Sequence, residues 1–446
     1  MTARNLLAPT VTTRLRVPTG LAAPGVASPL FRLLVTSVAA MTLLTAQPVR
    51  AHAQQTADTL ELSIDDALRI GFETRPDLRA ARAGVDEARA GLRQARVLPY
   101  NPLLEAKATR LISPGSNSPL EIILSQEIEW AGQRGLRAGS ARHMVEASEA
   151  HLADAERRAY HDIITAWYLA VGAGIRQRIR LRSVALGIRI REAVEAQARE
   201  GQVSTLDLNI ARIHAGQVAA AARMDRLARD TALLALARAL GLPPETPVRP
   251  SADTMHVDTP KAMNADSLTA LALRSRPDLA AVTALLESAR TRRRLSGREA
   301  IPNVVVGGVA QRTLPGQELD WGLRVGLSVP IWNRNQGFRD ETAAQVARLE
   351  AERAGIENGV RTEVRAALTV WQAAREVLTT LESQVVEPAR ANQDLVGIAY
   401  TEGQLDLPTT LVLQTQLMDA ELAFVDAWLA ERRAAAALDS AAGTRR

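Results

Sequence analysis

Three histidines on one stretch, His143, His151 and His161, are the residues whose type most invites a metal-binding reading. A helical ligand pair needs two imidazoles one turn apart, so that both reach one ion from one face. Spacings of eight and ten do not provide that step, and no carboxylate falls correctly between them. They read as solvent-exposed histidines, and no metal site is expected. The chain has no cysteine, which removes a disulfide framework, a zinc-thiolate site, a catalytic thiol and a lipidated N-terminal cysteine together. His-Glu-x-x-His, Gly-x-Ser-x-Gly and a phosphate-cradling glycine loop are also missing. The expectation is a protein without catalytic residues or cofactors, and not an enzyme.

Charge gives no footprint for nucleic acid. The net charge is +5, but 54 Lys and Arg are matched by 49 Asp and Glu, scattered with alternating sign along helical faces. The run Arg292-Arg293-Arg294 reads as one solvated helix face, and no nucleic-acid partner is expected. A hydrophobic share of 47% with only 3% aromatic residues, rich in Ala and Arg, suits long helices packed through small side chains rather than a compact enzyme core.

The elements that such helices belong to are written twice. Arg75-Pro76-Asp77-Leu78 returns as Arg276-Pro277-Asp278-Leu279, Ala88-Arg89 as Ala289-Arg290, and Glu200-Gly201-Gln202 as Glu402-Gly403-Gln404, with Trp167 answered near Trp371. Residues 1–53 are set apart as an export signal: Arg4, Arg14, Arg16 and Arg32 precede an apolar run from Leu33 to Leu44, and Ala51-His52-Ala53 supplies a small-x-small cleavage pattern. The remainder divides into a first repeat over 54–250 and a second over 251–446. No later apolar stretch is long enough for a membrane-crossing helix.

Each repeat opens with a helical segment punctuated by its Arg-Pro-Asp-Leu motif, continues into a strand pair, and ends in a long helical hairpin. The strand pairs are expected at about 103–130 and 303–332, and the hairpins at about 134–241 and 336–440. Leu104, Ala106 and Ala108 alternate with Glu105, Lys107 and Thr109, and the turn Ser113-Pro114-Gly115-Ser116-Asn117 follows. The return strand puts Ile122, Leu124, Ile128 and Trp130 on one face, interrupted once by Gln126, and Glu121, Ser125, Glu127 and Glu129 on the other. In the second repeat, after a turn near Pro315-Gly316, Trp321, Leu323, Val325, Leu327, Val329 and Ile331 alternate with Asp320, Gly322, Arg324, Gly326 and Ser328. The first arm of each hairpin is a rod of roughly 100 Å at 1.5 Å per residue. Ile356, Val360, Val364, Ala367, Trp371, Ala374, Leu378, Leu381 and Val385 form a coiled-coil seam along the second rod, with Pro388 interrupting it late, and Gly172 and Gly174 are expected to loosen the first.

Strands of about ten residues with one apolar and one polar face match the walls of a transmembrane β-barrel. Four cannot close one, since barrels of this kind need about 8 or more strands, so several copies must join, 12 strands resulting from a trimer. The apolar faces, with Ile122, Leu124, Ile128, Trp321, Leu323, Val325, Leu327 and Val329, would then meet outer-membrane lipid, while Lys107 and its polar neighbours line a lumen. Trp130, Trp321 and Trp332 fall where an aromatic belt would lie, or alternatively are hinge packing.

This duplicated arrangement resembles the TolC family of outer-membrane factors over the whole mature chain. Gly326-Leu327-Ser328-Val329-Pro330-Ile331-Trp332 with Asn333-Arg334-Asn335-Gln336-Gly337 resembles the family's strand-to-helix wording, and Gln126-Glu127-Ile128-Glu129-Trp130-Ala131-Gly132-Gln133-Arg134 its first-repeat equivalent. Both are most similar to the CzcC-like branch that serves metal-ion efflux pumps of the RND type. The resemblance implies a mainly α fold with a membrane β-barrel portion: a homotrimeric 12-stranded barrel in the outer membrane, continued by an α-helical periplasmic tunnel. It implies passive conduction to the exterior, with a periplasmic adaptor protein and an inner-membrane RND-type transporter as partners. It places the adaptor contacts at the hairpin tips, Gly201, Val203, Ser204, Leu206, Gly403, Leu405 and Leu407, although the glycines also serve a tight reversal whatever they touch. It places an acidic gate at Asp207, with Asp406 displaced toward the turn and Thr409 at the matching position in the second repeat; a helix-capping role is the equal alternative for Asp207. Metal cations are the favoured cargo, against drug efflux or a type I secretion duct of the same fold. A periplasmic coiled-coil adaptor or a purely structural coiled coil are rivals that leave the duplication or the two-faced strands unexplained.

Overall fold

A computed structural model describes residues 60–108, 120–251, 264–312, 318–402 and 404–444. The expected export signal, the turns at 113–117 and 315–316, and Gly403 lie outside the described residues.

Both repeats begin alike. Helix α1 (Ile64–Thr74) starts on Ser63, whose hydroxyl accepts the Asp66 N–H at 3.1 Å, and α2 (Pro76–Arg96) starts on a proline, which needs no N–H partner in the first turn. In the second repeat α5 (Ala265–Ser275) is capped by Asn264 and α6 (Pro277–Arg298) again opens on proline. A short parallel pair, β1 (Leu60–Leu62) with β4 (Val248–Pro250), ties the start of the first repeat to the end of its hairpin.

The first hairpin consists of α3 (Gln133–Arg199) and α4 (Thr205–Ala239). Helix α3 is 67 residues long and unbroken, which corrects the expectation that Gly172 and Gly174 loosen it. A Cβ on Gly172 would stand 2.4 Å from Leu429 Cδ1, so this glycine marks where α9 (Leu407–Ala442) of the second hairpin presses closest. The other arm of that hairpin is α7 (Gln336–Leu381), a π-turn at Glu382–Val386, and α8 (Glu387–Thr401). Pro388 has no N–H for the preceding turn and its ring crowds the carbonyl four residues back, and the helix absorbs one extra residue there. The expected seam is buried at Val360, Val364 and Trp371, but the insertion moves the next buried position from Val385 to Val386.

Side chains of both repeats share their cores. Leu62, Ile163, Trp167, Tyr168, Leu236 and Leu240 from the first repeat enclose Trp428 from the second. Tyr168 stacks edge-on between Trp167 and Trp428, with centroids 5.2 and 5.7 Å away.

The four strands β2 (Leu103–Ala108), β3 (Leu120–Ile128), β5 (Val304–Arg312) and β6 (Asp320–Leu327) form one antiparallel sheet in the order β2-β3-β5-β6. The repeats therefore meet through β3 and β5. Both return strands are shorter than expected at their helical end, stopping at Ile128 and Leu327 rather than at Trp130 and Trp332. The partner of both is Val304, the first residue of β5, and no ladder extends beyond it.

Gly307 is held between the strands more tightly than any side chain would allow, since a Cβ there would lie 2.6 Å from the Leu124 carbonyl oxygen. Gly308, next to it on the other face, has open space. Gly307→Val should cost about 1–3 kcal/mol through overpacking and lower the yield of assembled protein. Gly308→Val should leave the yield and the thermal midpoint near wild type.

Candidate functional site

The register places Leu104 opposite Leu124, Leu124 opposite Gly308, and Gly308 opposite Leu323. Continuing along each strand gathers Ile122, Leu124, Ile128, Val306, Trp321, Leu323, Val325 and Leu327 on one face, all exposed, with Leu323 at 90%. Val329, read on the same face, lies just beyond the end of β6 and is exposed as well. The other face carries Glu105, Lys107, Glu121, Glu127, Asp320 and Arg324, interrupted by Ile123, Val305 and Val309.

This polar face is concave. Strands β2 and β6 are the two edges of the sheet, three inter-strand spacings apart, or about 14 Å if flat. Arg324 Nη1 on β6 nevertheless reaches to 4.0 Å from Glu105 Oε2 on β2. A sheet rolled toward its charged side brings these groups within easy reach, and Gly307, Gly322 and Gly326 keep that side thin enough to roll. Gln126, which broke the apolar pattern, is satisfied at the helical margin by donating to the Tyr100 and Glu127 carbonyl oxygens at 2.9 and 2.8 Å.

Strands pass into helices through two left-handed residues, Gly132 (φ 81°) before α3 and Asn335 (φ 61°) before α7. Asn335 Nδ2 donates to the Ser296 carbonyl oxygen at 2.9 Å, which fixes a conformation that asparagine tolerates. Trp130 is anchored across the repeats, its Nε1 donating to the Pro302 carbonyl oxygen at 2.9 Å. Buried Gln133 donates to Asn303 Oδ1 at 3.3 Å, and Asn303 in turn donates to Glu127 at 2.7 Å. Of the three histidines, His143 lies 2.8 Å from Glu146. Among the described residues no group of three or more His, Cys, Asp or Glu is placed to hold a metal ion.

The Arg-Pro-Asp motifs, legible only as markers of duplication, act as matched latches. Arg75 donates to both oxygens of Asp77 at 3.0 and 2.7 Å, to Asp162 at 3.3 Å, and to the Ala239 carbonyl at the end of α4 at 3.1 Å. Arg276 donates to both oxygens of Asp278 at 3.0 and 2.6 Å, to Glu363, and to the Ala441 carbonyl at the end of α9 at 3.5 Å. Each latch clamps the end of a returning hairpin arm to the start of its own repeat. The arms close on Gly241 (φ 70°) and Gly443 (φ 71°), and a Cβ on Gly241 would come within 2.9 Å of the Arg75 Cα. Hydrogen bonds from Arg75 hold the Asp77 carboxyl below its usual range. Burial pushes Asp278 upward, but the Arg276 guanidinium outweighs it and the net shift is downward.

The Glu-Gly-Gln turns end their helices in the same way. Gly201 adopts φ 71° and the Gln202 N–H reaches the Gln197 carbonyl at 2.9 Å. Gln404 N–H reaches the Ala399 carbonyl at 2.8 Å. Beyond the turn, Ser204 and Asp406 are the N-caps of α4 and α9. Asp207 completes a capping box, accepting from Ser204 Oγ at 2.6 Å and from Ser204 N–H at 3.2 Å. Asp406 accepts the Thr409 N–H at 2.8 Å, and hydrogen bonding from the Thr409 side chain and then its backbone lowers the carboxyl pKa. Both gate candidates thus cap helices. At the tips Leu206 is 68% exposed, Gly201 and Ser204 are exposed, Val203 and Leu405 are half-buried, and Leu407 is buried at 8%. Leu407 packs with Ile190, Val194, Ala211 and Leu411, joining the two hairpins near their ends.

Residues 268–444 match the family model described as outer membrane efflux protein. Over this stretch, which lies in the second repeat, the chain is similar to outer membrane efflux proteins. The chain is 24% identical to the cobalt-zinc-cadmium resistance protein CzcC of Cupriavidus metallidurans, over 86% of this chain and 90% of that one. It is 26% identical to the pyoverdine export outer membrane protein OpmQ of Pseudomonas putida, over 85% of each. The Campylobacter jejuni CmeC outer membrane channel has the same fold, with a TM-score of 0.72, 14% identity and 85% of each chain covered. The mainly helical fold is thus the one that solved outer-membrane channels have.

Arg276 is 5% exposed, whereas Arg75 is 13% exposed in its side chain. Arg276→Gln, leaving Asp278 without its fork, should destabilise the purified protein by about 3 kcal/mol in thermal or denaturant unfolding, and Arg75→Gln by less. Because both aspartates have lowered pKa values in the folded state, their stabilisation is complete above the unfolded carboxylate value of about 3.9 and fades as pH falls through the folded value. The wild-type thermal midpoint should therefore drop below about pH 4, and the double Arg75→Gln, Arg276→Gln variant should show a flatter drop.

Proposed function

We propose that three copies of this chain close a 12-stranded barrel through which cations, metal ions foremost, leave the periplasm, handed on by an RND-type pump and its adaptor. The single observation that carries the pore reading is the sheet itself: apolar and exposed on its convex side, charged on its concave side, with both edges unpaired among the described residues. Backbone groups on an open edge are not tolerated in lipid, and joining β6 of one copy to β2 of the next satisfies all of them. Ile122, Leu124, Ile128, Trp321, Leu323, Val325, Leu327 and Val329 are then the lipid-facing residues.

Support for cation cargo comes from the same concave face, where Glu105, Glu121, Glu127 and Asp320 oppose Lys107 and Arg324. An excess of carboxylate lowers the barrier for cations. The likeness to a cobalt-zinc-cadmium resistance protein points the same way, and the likeness to a pyoverdine exporter supplies the alternative of a small organic cargo. Adaptor contact is assigned to the tips at Gly201, Val203, Ser204, Leu206, Gly403 and Leu405, with Leu407 supporting them from within the hairpin packing. Asp207 and Asp406 serve the gate through the turn geometry they hold, in addition to any charge they present.

Val325→Arg should abolish recovery of detergent-stable trimer from the outer membrane, since a charge at mid-sheet costs about 2–4 kcal/mol in lipid. Val325→Leu should be neutral, and equal trimer yields for the two would overturn the assigned faces. Leu206→Asp together with Leu405→Asp should leave trimer abundance unchanged and remove metal tolerance in cells that depend on this duct. In planar bilayers the wild-type channel should pass cations over anions, and Glu105→Gln with Glu121→Gln should reduce that preference. A duct that restores siderophore release but not metal tolerance would move the assignment to organic cargo.

A further inference from the structure

Four helix ends border one margin of the sheet: the end of α2, the start of α3, the end of α6 and the start of α7. Each carries exposed arginine. Arg93 and Arg96 lie in the last turn of α2, Arg134 in the first turn of α3, Arg298 in the last turn of α6, and Arg334 and Arg339 on either side of the α7 start. None of these six forms an ion pair among the described residues. About two turns farther from the sheet the pattern reverses, and each repeat closes a matched bridge, Arg89 to Glu149 at 2.8 Å and Arg290 to Glu350 at 2.7 Å.

The placement runs against local helix preference. Helices α1, α2, α5 and α6 all have aspartate in their first turn, as the helix dipole favours. Helices α3 and α7 have no acid there and no side-chain cap, and carry arginine instead. Glu299, Asp340 and Glu341 are the exposed carboxylates of the same turns, and the arginines outnumber them. Among these cations stand exposed apolar groups, Val97, Leu98, Val329, Ile331 and Trp332, the last at 86%. A wall of a watery neck would not present that mixture. A membrane surface would, with apolar side chains in the acyl boundary and guanidinium forks on phosphate.

We propose that this margin is a phosphate-binding girdle for anionic glycerophospholipid headgroups of the leaflet on the helical side. The inference rests on the barrel reading of the sheet and is continuous with its apolar face. Recognition is through bidentate guanidinium–phosphate pairs and net charge, and selects phosphatidylglycerol over zwitterionic phosphatidylethanolamine.

The test uses the full-length oligomer, purified in detergent and reconstituted into vesicles of phosphatidylethanolamine with or without phosphatidylglycerol. Lipid retained through detergent exchange and the thermal midpoint of the oligomer are measured. The wild type should retain roughly tenfold more phosphatidylglycerol than phosphatidylethanolamine, less so in high salt. Its midpoint should also rise with the anionic lipid. Arg96→Gln, Arg298→Gln, Arg334→Gln and Arg339→Gln combined should bring retention to near parity and cancel the rise. If that variant does not assemble, Arg334→Gln with Arg339→Gln should give a partial loss in the same direction. Wild type without a lipid preference, or variants that keep it, overturns the girdle while vesicle flotation still supports the barrel. Unchanged lipid retention with an altered ion permeability ratio places the arginines in the lumen and also overturns it. Failure to float with any vesicle rejects the barrel, and the girdle with it.

Discussion

In the barrel proposed above, the constraint on which the molecule depends is that a peptide group in a hydrocarbon layer must find its hydrogen-bond partner in protein. A sheet of four strands cannot meet it alone, because β2 and β6 each leave one side open. Every other property of the sheet prepares for a neighbour. Alternation separates the apolar side chains from the charged ones, and glycines on the charged side let the strands roll. The Arg324–Glu105 bridge records the direction of that roll. The helices then follow from the strands, since each long rod departs from a strand end through a single left-handed residue.

Duplication gives the two halves matched hardware and leaves one useful difference. Arg75 and Arg276 perform the same clamping on the ends of α4 and α9, using the same carboxylate two residues along. The rods they organise are not the same. Helix α3 runs unbroken for 67 residues, whereas its counterpart is interrupted by a π-turn ahead of Pro388. A shared core around Trp167, Tyr168 and Trp428 locks the repeats to each other regardless.

Much of this was legible because it rests on periodicity. The alternation of Trp321, Leu323, Val325 and Leu327 predicted a two-faced strand, and a step of three or four from Val360 to Trp371 predicted the seam. What escaped was set by partners distant in sequence. Strand ends at Ile128 and Leu327 depend on where β5 begins, which nothing local to either residue encodes. Gly172 looked like a weak point in a helix and is a contact point, because the deciding atom belongs to Leu429. Val386 replaced Val385 because a proline two residues on changed the winding. The Arg-Pro-Asp motif announced the repeat without announcing its task, which is to grip carbonyls more than 160 residues away. The first tip turns at Gly201, Gly403 lies outside the described residues, and Leu407 packs against the other hairpin rather than facing solvent.

The pairing of β3 with β5 carries a kinetic implication. These strands lie at Leu120–Ile128 and Val304–Arg312, so the central ladder of the sheet joins segments separated by an entire helical hairpin. Closing so long a loop is slow compared with forming local helices. During synthesis the first strand pair therefore emerges well before its mate, with the β3 edge still lacking hydrogen-bond partners. Until β5 arrives, the β3 edge stays open, so closing this long-range ladder rather than forming helices sets the pace of folding.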